Sequence, residues 1–238
     1  MKLDILAFGA HPDDVELGCG GTLAKHIAMG KKAGIVDLTR GELGTRGSVN
    51  IRDDEAKASA AILGVSVREN LNFKDGFFTN DETHQLELIK VIRRFRPEMV
   101  LANAIYDRHP DHGNGAALAF HSCFLSGLSK VETTDSGKLQ QAWRPKVLFH
   151  YIQSQWINPD LIVDVSTHWE KKMQAVKAFK SQFHDPNSKE PETYISSQAF
   201  MQMLEARGVE LGHAIGVPYG EGFTTRKTVG VNSLMDIL

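Results

Sequence analysis

The strongest constraint on the fold is an alternation. Short apolar runs recur at residues 3–10, 33–39, 68–73, 99–104, 146–152 and 161–166. Segments of helical period lie at 20–29, 50–63, 81–97 and 110–128, and two more follow at 166–183 and 192–207. Continuous apolar runs of this length suit strands covered on both faces, as in a parallel sheet. The intervening segments carry helix punctuation: Gly30 and Gly64 as stops, Asn50 as an expected N-cap, and Pro97 as a terminator. Strand and helix in alternation predict an α/β fold, a Rossmann-like three-layer sandwich around a mostly parallel central sheet. A chain of 238 residues fits one such domain, 1–238. Loops are expected at 133–145 and 184–192, where turn-forming residues gather.

In open parallel sheets, ligands bind beyond the carboxyl ends of the strands. Four polar clusters fall there: His11-Pro12-Asp13-Asp14 after the first run, Glu42 after the second, Asp75 after the third, and 106–112 after the fourth. The glycine-rich turn after the first run does not fit a dinucleotide site. Gly18-Cys19-Gly20 needs Gly or Ala at position 23, which is Leu23, and the acidic turn repels a pyrophosphate. Gly20 and Gly21 instead suit close packing of the first helix on the sheet.

Two strand ends carry the same H-P-D turn, at 11–13 and at 109–111. Two histidines and one carboxylate bind zinc while leaving a coordination position open. His11, Asp14 and His112 can supply that set. The side chains of adjacent aspartates diverge, so Asp14 can ligate while Asp13 faces the open position as a general base. His109 then lies where an imidazolium could hold an oxyanion or protonate a leaving amine. Asp111 is the expected partner keeping His109 charged. The other seven histidines lack a carboxylate at ligand spacing and read as surface or core residues. Of the arginines, Arg108 lies inside the motif turn, where it could grip a carboxylate bidentately. Arg52 opens the second helix and Arg144 lies in a long loop.

Acidic and basic residues nearly balance, 29 against 27, so neither nucleic acid nor an anionic membrane is an expected partner. No apolar run approaches the ~20 residues of a membrane span. Two cysteines make no disulfide framework, and the N-terminal stretch lacks a signal-peptide pattern. A cytoplasmic protein is expected.

The motifs A-H-P-D-D-V-E, T-x-G-E-x-G at 39–44, R-x-x-E-A at 52–56 and D-R-H-P-D-H at 107–112 resemble the LmbE-like (PIG-L) N-acetylglucosamine deacetylases. KSQF at 180–183 and GVPYGEGF at 216–223 resemble the bacillithiol-pathway branch, which deacetylates N-acetylglucosaminyl malate. The resemblance implies Zn2+, or Fe2+ or another divalent metal in vivo, held by His11, Asp14 and His112. It implies Asp13 as base and His109, oriented by Asp111, as electrostatic or acid catalyst. It adds Tyr194 as an oxyanion aid on a mobile loop, Arg52 and Asp75 at the sugar hydroxyls, and Arg108 and Arg144 at the malate carboxylates. It also implies a homo-oligomer, a hexamer.

Chitobiose- or inositol-linked N-acetylglucosamine is the alternative substrate. Two other classes share parts of the pattern. A non-haem iron oxygenase uses the same two-histidine, one-carboxylate triad, but needs no carboxylate base beside the metal. A nucleotide-binding module would need no metal at all.

Overall fold

The computed structural model describes residues 1–237. In chain order the strands are β1 (Ile5–Gly9), β2 (Ala33–Thr39), β3 (Val67–Phe73), β4 (Met99–Ala102), β5 (Thr134–Asp135), β6 (Lys138–Leu139), β7 (Val147–Tyr151), β8 (Leu161–Asp164) and β9 (Gly220–Thr224). The helices are α1 (Asp14–Ala28), α2 (Val49–Leu63), α3 (Glu82–Phe95), α4 (Pro110–Leu125), α5 (Trp169–Lys177) and α6 (Gln198–Ala214). Seven strands form one sheet in the order β3-β2-β1-β4-β7-β9-β8. β1, β2, β3, β4 and β7 run parallel, while β9 pairs antiparallel with both β7 and β8. The fold is therefore a single-domain α/β sandwich on a mostly parallel sheet.

Side-chain alternation builds the three layers. Leu6, Phe8, Val36, Leu38 and Val100 face one side, against residues of α3 and α4. Ile5, Ala7, Ile35 and Leu101 face the other, against Val15, Leu23 and Ala175 of α1 and α5. The strand order reverses at β1, with β2 on one side and β4 on the other. That switch point opens a crevice at the carboxyl ends of β1 and β4. The two H-P-D turns leave from those ends.

Four expected elements differ. The first helix starts at Asp14, so the glycine-rich segment lies inside it, and the helix breaks at Cys19 (φ −148°, ψ 21°). The break frees the N–H groups of Gly21 and Thr22 to donate to the buried Glu221 carboxylate at 2.9 and 2.6 Å. A Cβ on Gly21 would lie 2.9 Å from Val165 Cβ, whereas one on Gly20 would meet nothing nearer than Lys172 at 3.4 Å. Of the two expected positions only Gly21 is therefore packed closely; Gly18, against the Tyr151 ring, is tighter still. Asn50 is not the cap of α2; Ser48 is, its Oγ accepting from the Ile51 N–H at 3.4 Å. The segment 166–183 is helical only to Lys177, after a 3-10 turn at Ser166–His168. The last long helix runs over Gln198–Ala214, capped by Ser197, rather than over 192–207. β9 was not expected at all. Among the described residues, no helix is long and apolar enough to cross a membrane.

Candidate active site

The H-P-D turn after β1 is strained at its third residue. Asp13 sits at φ 121°, in a region that L-residues rarely adopt. Such a conformation costs about 1–3 kcal/mol and persists only where surrounding contacts enforce it. Here Arg52 does so. Its guanidinium donates to the Pro12 carbonyl at 2.9 Å and to Asp13 Oδ2 at 2.8 Å. Gly41 makes room for that arginine, since a Cβ there would lie 2.2 Å from Nη1. Thr39 ties the end of β2 to the same turn, donating from Oγ1 to the Ala10 carbonyl at 2.8 Å.

Asp14 is the bridge of the site. Its Oδ2 lies 3.5 Å from His11 Nδ1, and its Oδ1 lies 3.1 Å from His112 Nε2. Two ligand atoms each ~2.0–2.1 Å from a tetrahedral zinc stand about 3.3 Å apart, so each spacing suits a ligand pair, with the two histidines approaching different oxygens of Asp14. The far nitrogen of each imidazole is taken by a carboxylate. His11 Nε2 donates to Asp75 Oδ1 at 3.1 Å, and His112 Nδ1 donates to Asp107 Oδ2 at 2.6 Å. A carboxylate behind each histidine fixes its tautomer and leaves the inner nitrogen facing Asp14, as in metal sites. Among the described residues, the groups whose ligand atoms all lie within 4.8 Å of one another are His11, His109 and His112, and His11, Asp75 and Asp111.

The electrostatics suit a cation. Burial opposes charge on His11, yet Asp111, Asp14 and Asp75 hold its imidazole well above the ordinary value. Burial likewise opposes charge on His112, but the Asp14 carboxylate carries it up to about 9. Burial pushes Asp14 up, and the two histidines outweigh this and hold it well below the usual carboxylate range. Two imidazoliums thus compensate the buried carboxylates, a role that a divalent ion can take over. Asp13 behaves differently. Burial raises it to about 7, with Arg52 only partly opposing the rise.

The structure moves several expected residues. Asp111 does not hold His109. Its Oδ2 accepts from the Gly76 N–H at 2.8 Å and lies 3.4 Å from His11 Nε2. The reason is the α4 N-terminus: His109 is its cap, and Nδ1 accepts from the Asp111 N–H at 3.3 Å. Burial and the neighbouring His11 and His112 lower the His109 pKa, so the imidazole is neutral rather than charged. Asp75 and Arg52 line the cleft but spend their polar atoms on protein, Asp75 on His11 and the Leu43 N–H, Arg52 on Asp13 and backbone carbonyls. Arg144 lies outside the cleft; it donates to the Phe124 carbonyl and stacks on that ring at 4.4 Å. Arg108 and Tyr194 do meet at the cleft, the guanidinium 4.3 Å from the tyrosine ring centroid.

Two amides carry weight that the sequence did not signal. Asn103, just after β4, donates to Asp14 Oδ2 at 2.9 Å. Gln153, just after β7, donates to Asp14 Oδ1 at 2.9 Å and accepts from Asn103. Asp107, inside a quoted motif, was given no role. The cleft that receives all these groups measures about 350 Å³, and Arg46, Arg207 and Trp169 also line it.

Comparison with known proteins places this arrangement. Residues 6–123 match the GlcNAc-PI de-N-acetylase (PIG-L) family. The chain is 32% identical over 190 residues to the diacetylchitobiose deacetylase of Thermococcus kodakarensis, covering 75% of this chain and 70% of that one. It is 28% identical to the 4-oxalmesaconate hydratase of Pseudomonas putida, over 91% of this chain and 86% of the other. Among solved structures, a conserved protein of Thermus thermophilus superposes with a TM-score of 0.86 at 35% identity, covering 97% and 98% of the two chains. The N,N'-diacetylchitobiose deacetylase of Pyrococcus horikoshii superposes at 0.78 with 29% identity, over 92% and 82%. On the sequence similarity and on the shared fold, the chain belongs to the PIG-L family, the LmbE-like de-N-acetylases.

Proposed function

We propose that this protein is a zinc-dependent hydrolase that removes the acetyl group from an N-acetylglucosamine conjugate. The observation that carries the proposal is Asp14 spanning His11 and His112 at ligand spacing, with the strained Asp13 carboxylate beside it. A divalent ion held by His11, Asp14 and His112 would supply Lewis acidity and lower the pKa of water at the site. Asp13 takes the proton from the attacking water, whose oxygen bonds to the acetyl carbon. Arg52 keeps Asp13 aimed and, by its charge, favours the carboxylate form. His109, with Nδ1 occupied as an acceptor, presents Nε2–H to the developing oxyanion, and Tyr194 offers a second donor. The C–N bond then breaks, and Asp13 returns its proton to the sugar nitrogen. The products are the free amine and acetate.

The aglycone we favour is malate, which places the protein in bacillithiol biosynthesis. Arg108 supports this reading. It lines the cleft, stacks on Tyr194, and meets no carboxylate among the described residues. An uncharged disaccharide such as diacetylchitobiose leaves that guanidinium unused, whereas a carboxylate takes it bidentately.

A hydratase among the relatives sets the rival chemistry, addition of water to a carbon–carbon double bond. An acetate-release assay with zinc supplied separates the readings. N-acetylglucosaminyl malate should turn over fastest, ahead of diacetylchitobiose and free N-acetylglucosamine. Release of no acetate from any of the three contradicts the deacetylase; a preference for diacetylchitobiose contradicts only the malate assignment.

A further inference from the structure

We propose that a second cavity, between α4, β7 and the residues after β9, binds an oxyanion that carries its own hydroxyl proton, namely hydrogenphosphate. The cavity measures about 320 Å³ and is separate from the catalytic cleft. Four cations line it, Arg144, Lys146, Arg226 and Lys227, and no acidic side chain does. On a chain of net charge −2 this is a marked local excess. Lys146 pairs with Glu98, but Arg144, Arg226 and Lys227 meet no carboxylate among the described residues. The two arginines lie on the rings of Phe124 and Phe120, at 4.4 and 4.0 Å from the centroids. Stacking of this kind holds a guanidinium in plane; Arg144 spends Nη2 on the Phe124 carbonyl, and its remaining donors and those of Arg226 are left for a ligand.

The floor supplies the specificity. His150 lines the cavity, is 1% exposed, and leaves Nε2 without a partner. Its Nδ1 bonds the Asn103 carbonyl at 2.9 Å. A carbonyl only accepts, so Nδ1 carries the proton and Nε2 offers a lone pair. Burial keeps the ring neutral. Thr224, directly across the strand pair from His150, also leaves its buried Oγ1 unpaired. Buried polar atoms without partners are costly, and of the two it is His150 Nε2, on a residue that lines the cavity, that marks a place where something polar belongs. An acceptor beneath a ring of cations selects an anion that can donate. Inorganic phosphate retains an O–H at mildly alkaline pH; sulfate, of the same charge, does not.

The test is an amide-shift titration of the zinc-loaded full chain with inorganic phosphate, sulfate and glucose 6-phosphate, at constant ionic strength. Phosphate should shift the amides of Leu148, Thr225 and Arg226, with sulfate at least about tenfold weaker at those positions. At mildly alkaline pH glucose 6-phosphate, whose dianion has no phosphate O–H, should bind as weakly as sulfate; binding as tight as that of phosphate overturns the proposal. The exposed double variant Arg226→Ala/Lys227→Ala should lose about tenfold or more of the phosphate affinity. His150→Phe should bring phosphate and sulfate to the same affinity. Equal binding of the two anions to the unaltered protein overturns the proposal, and so do phosphate shifts confined to the H-P-D turns.

Discussion

The protein buries charge in two places, and the two solve the problem differently. Behind the sheet edge, Arg68 donates to Asp37 at 2.7 and 2.9 Å and to Glu16 at 2.5 Å, and Ser59 donates to Glu16 as well. Opposite charges meet inside the protein, and the arginine is held more firmly protonated by its two carboxylates. The H-P-D cluster instead packs five aspartates around three imidazoles with one guanidinium on Asp13. It still leaves Asp111 Oδ1 buried and unpaired. Charges of the first kind meet their opposites directly, although Glu16 Oε2 also stays without a partner, and they serve the fold. Charges of the second kind include histidines and carboxylates spaced to hold a cation, the role proposed for them here.

The sharpest way to break this contrast is to neutralise one member on each side. Asp13→Asn keeps the shape of the turn and removes the base, so turnover should fall about a thousandfold or more while zinc stoichiometry by elemental analysis stays unchanged. Near-normal acetate release by that variant would remove Asp13 from the chemistry. In the first cluster, Arg68→Met strands two buried carboxylates. Denaturant unfolding should show a loss of about 3 kcal/mol or more, with zinc binding retained by the folded fraction. A negligible change would mean the cluster is not structural.

Subtler changes sharpen the comparison. Asp107→Asn removes the carboxylate behind His112 and should weaken zinc about 10- to 100-fold, read by chelator competition, without abolishing the site. Metal loading should also be linked to pH. With His11 and His112 both raised, and His112 at about 9, the ion-free protein at neutral pH holds protons on both rings. Zinc must displace them, so its affinity should climb with pH until about 9 and fall as the solution is acidified. Calorimetry in buffers of different ionisation enthalpy should detect about two protons released per zinc. The smallest effect concerns the acid limb of the rate. Asp13 must be deprotonated to act, and burial places it near 7, so activity should drop as pH falls through that limb. Bound zinc lowers the limb, and removing the opposing charge by Arg52→Met should raise it.

Much of this contrast was readable from the chain alone. The strand at 33–39 matches β2, and the four polar clusters do share one sheet edge, because apolar runs and their turns are local signals. Both H-P-D turns were legible for the same reason. What stayed hidden was non-local. Asn103 and Gln153 are uncharged amides fifty residues apart, with no spacing to connect them, yet they hold Asp14 together. β9 reads G-E-G-F-T, without the β-branched run that marks a buried strand, and it forms only by pairing between β7 and β8. Asp111 was assigned to its sequence neighbour His109, but cap geometry at α4 turned the two side chains apart. Arg144 lay in a loop whose course no local pattern fixes, and it belongs to the other face of the sheet.

The central claim is that two distant turns close on one divalent ion. Anomalous diffraction at the zinc edge, from crystals of the metal-loaded protein, tests it most directly. The account predicts a single site with His11 Nδ1, an Asp14 oxygen and His112 Nε2 each about 2.0–2.2 Å from the peak, and Asp13 beside it but not bonded. A peak bonded to His109 in place of Asp14, or none between the turns, would contradict it.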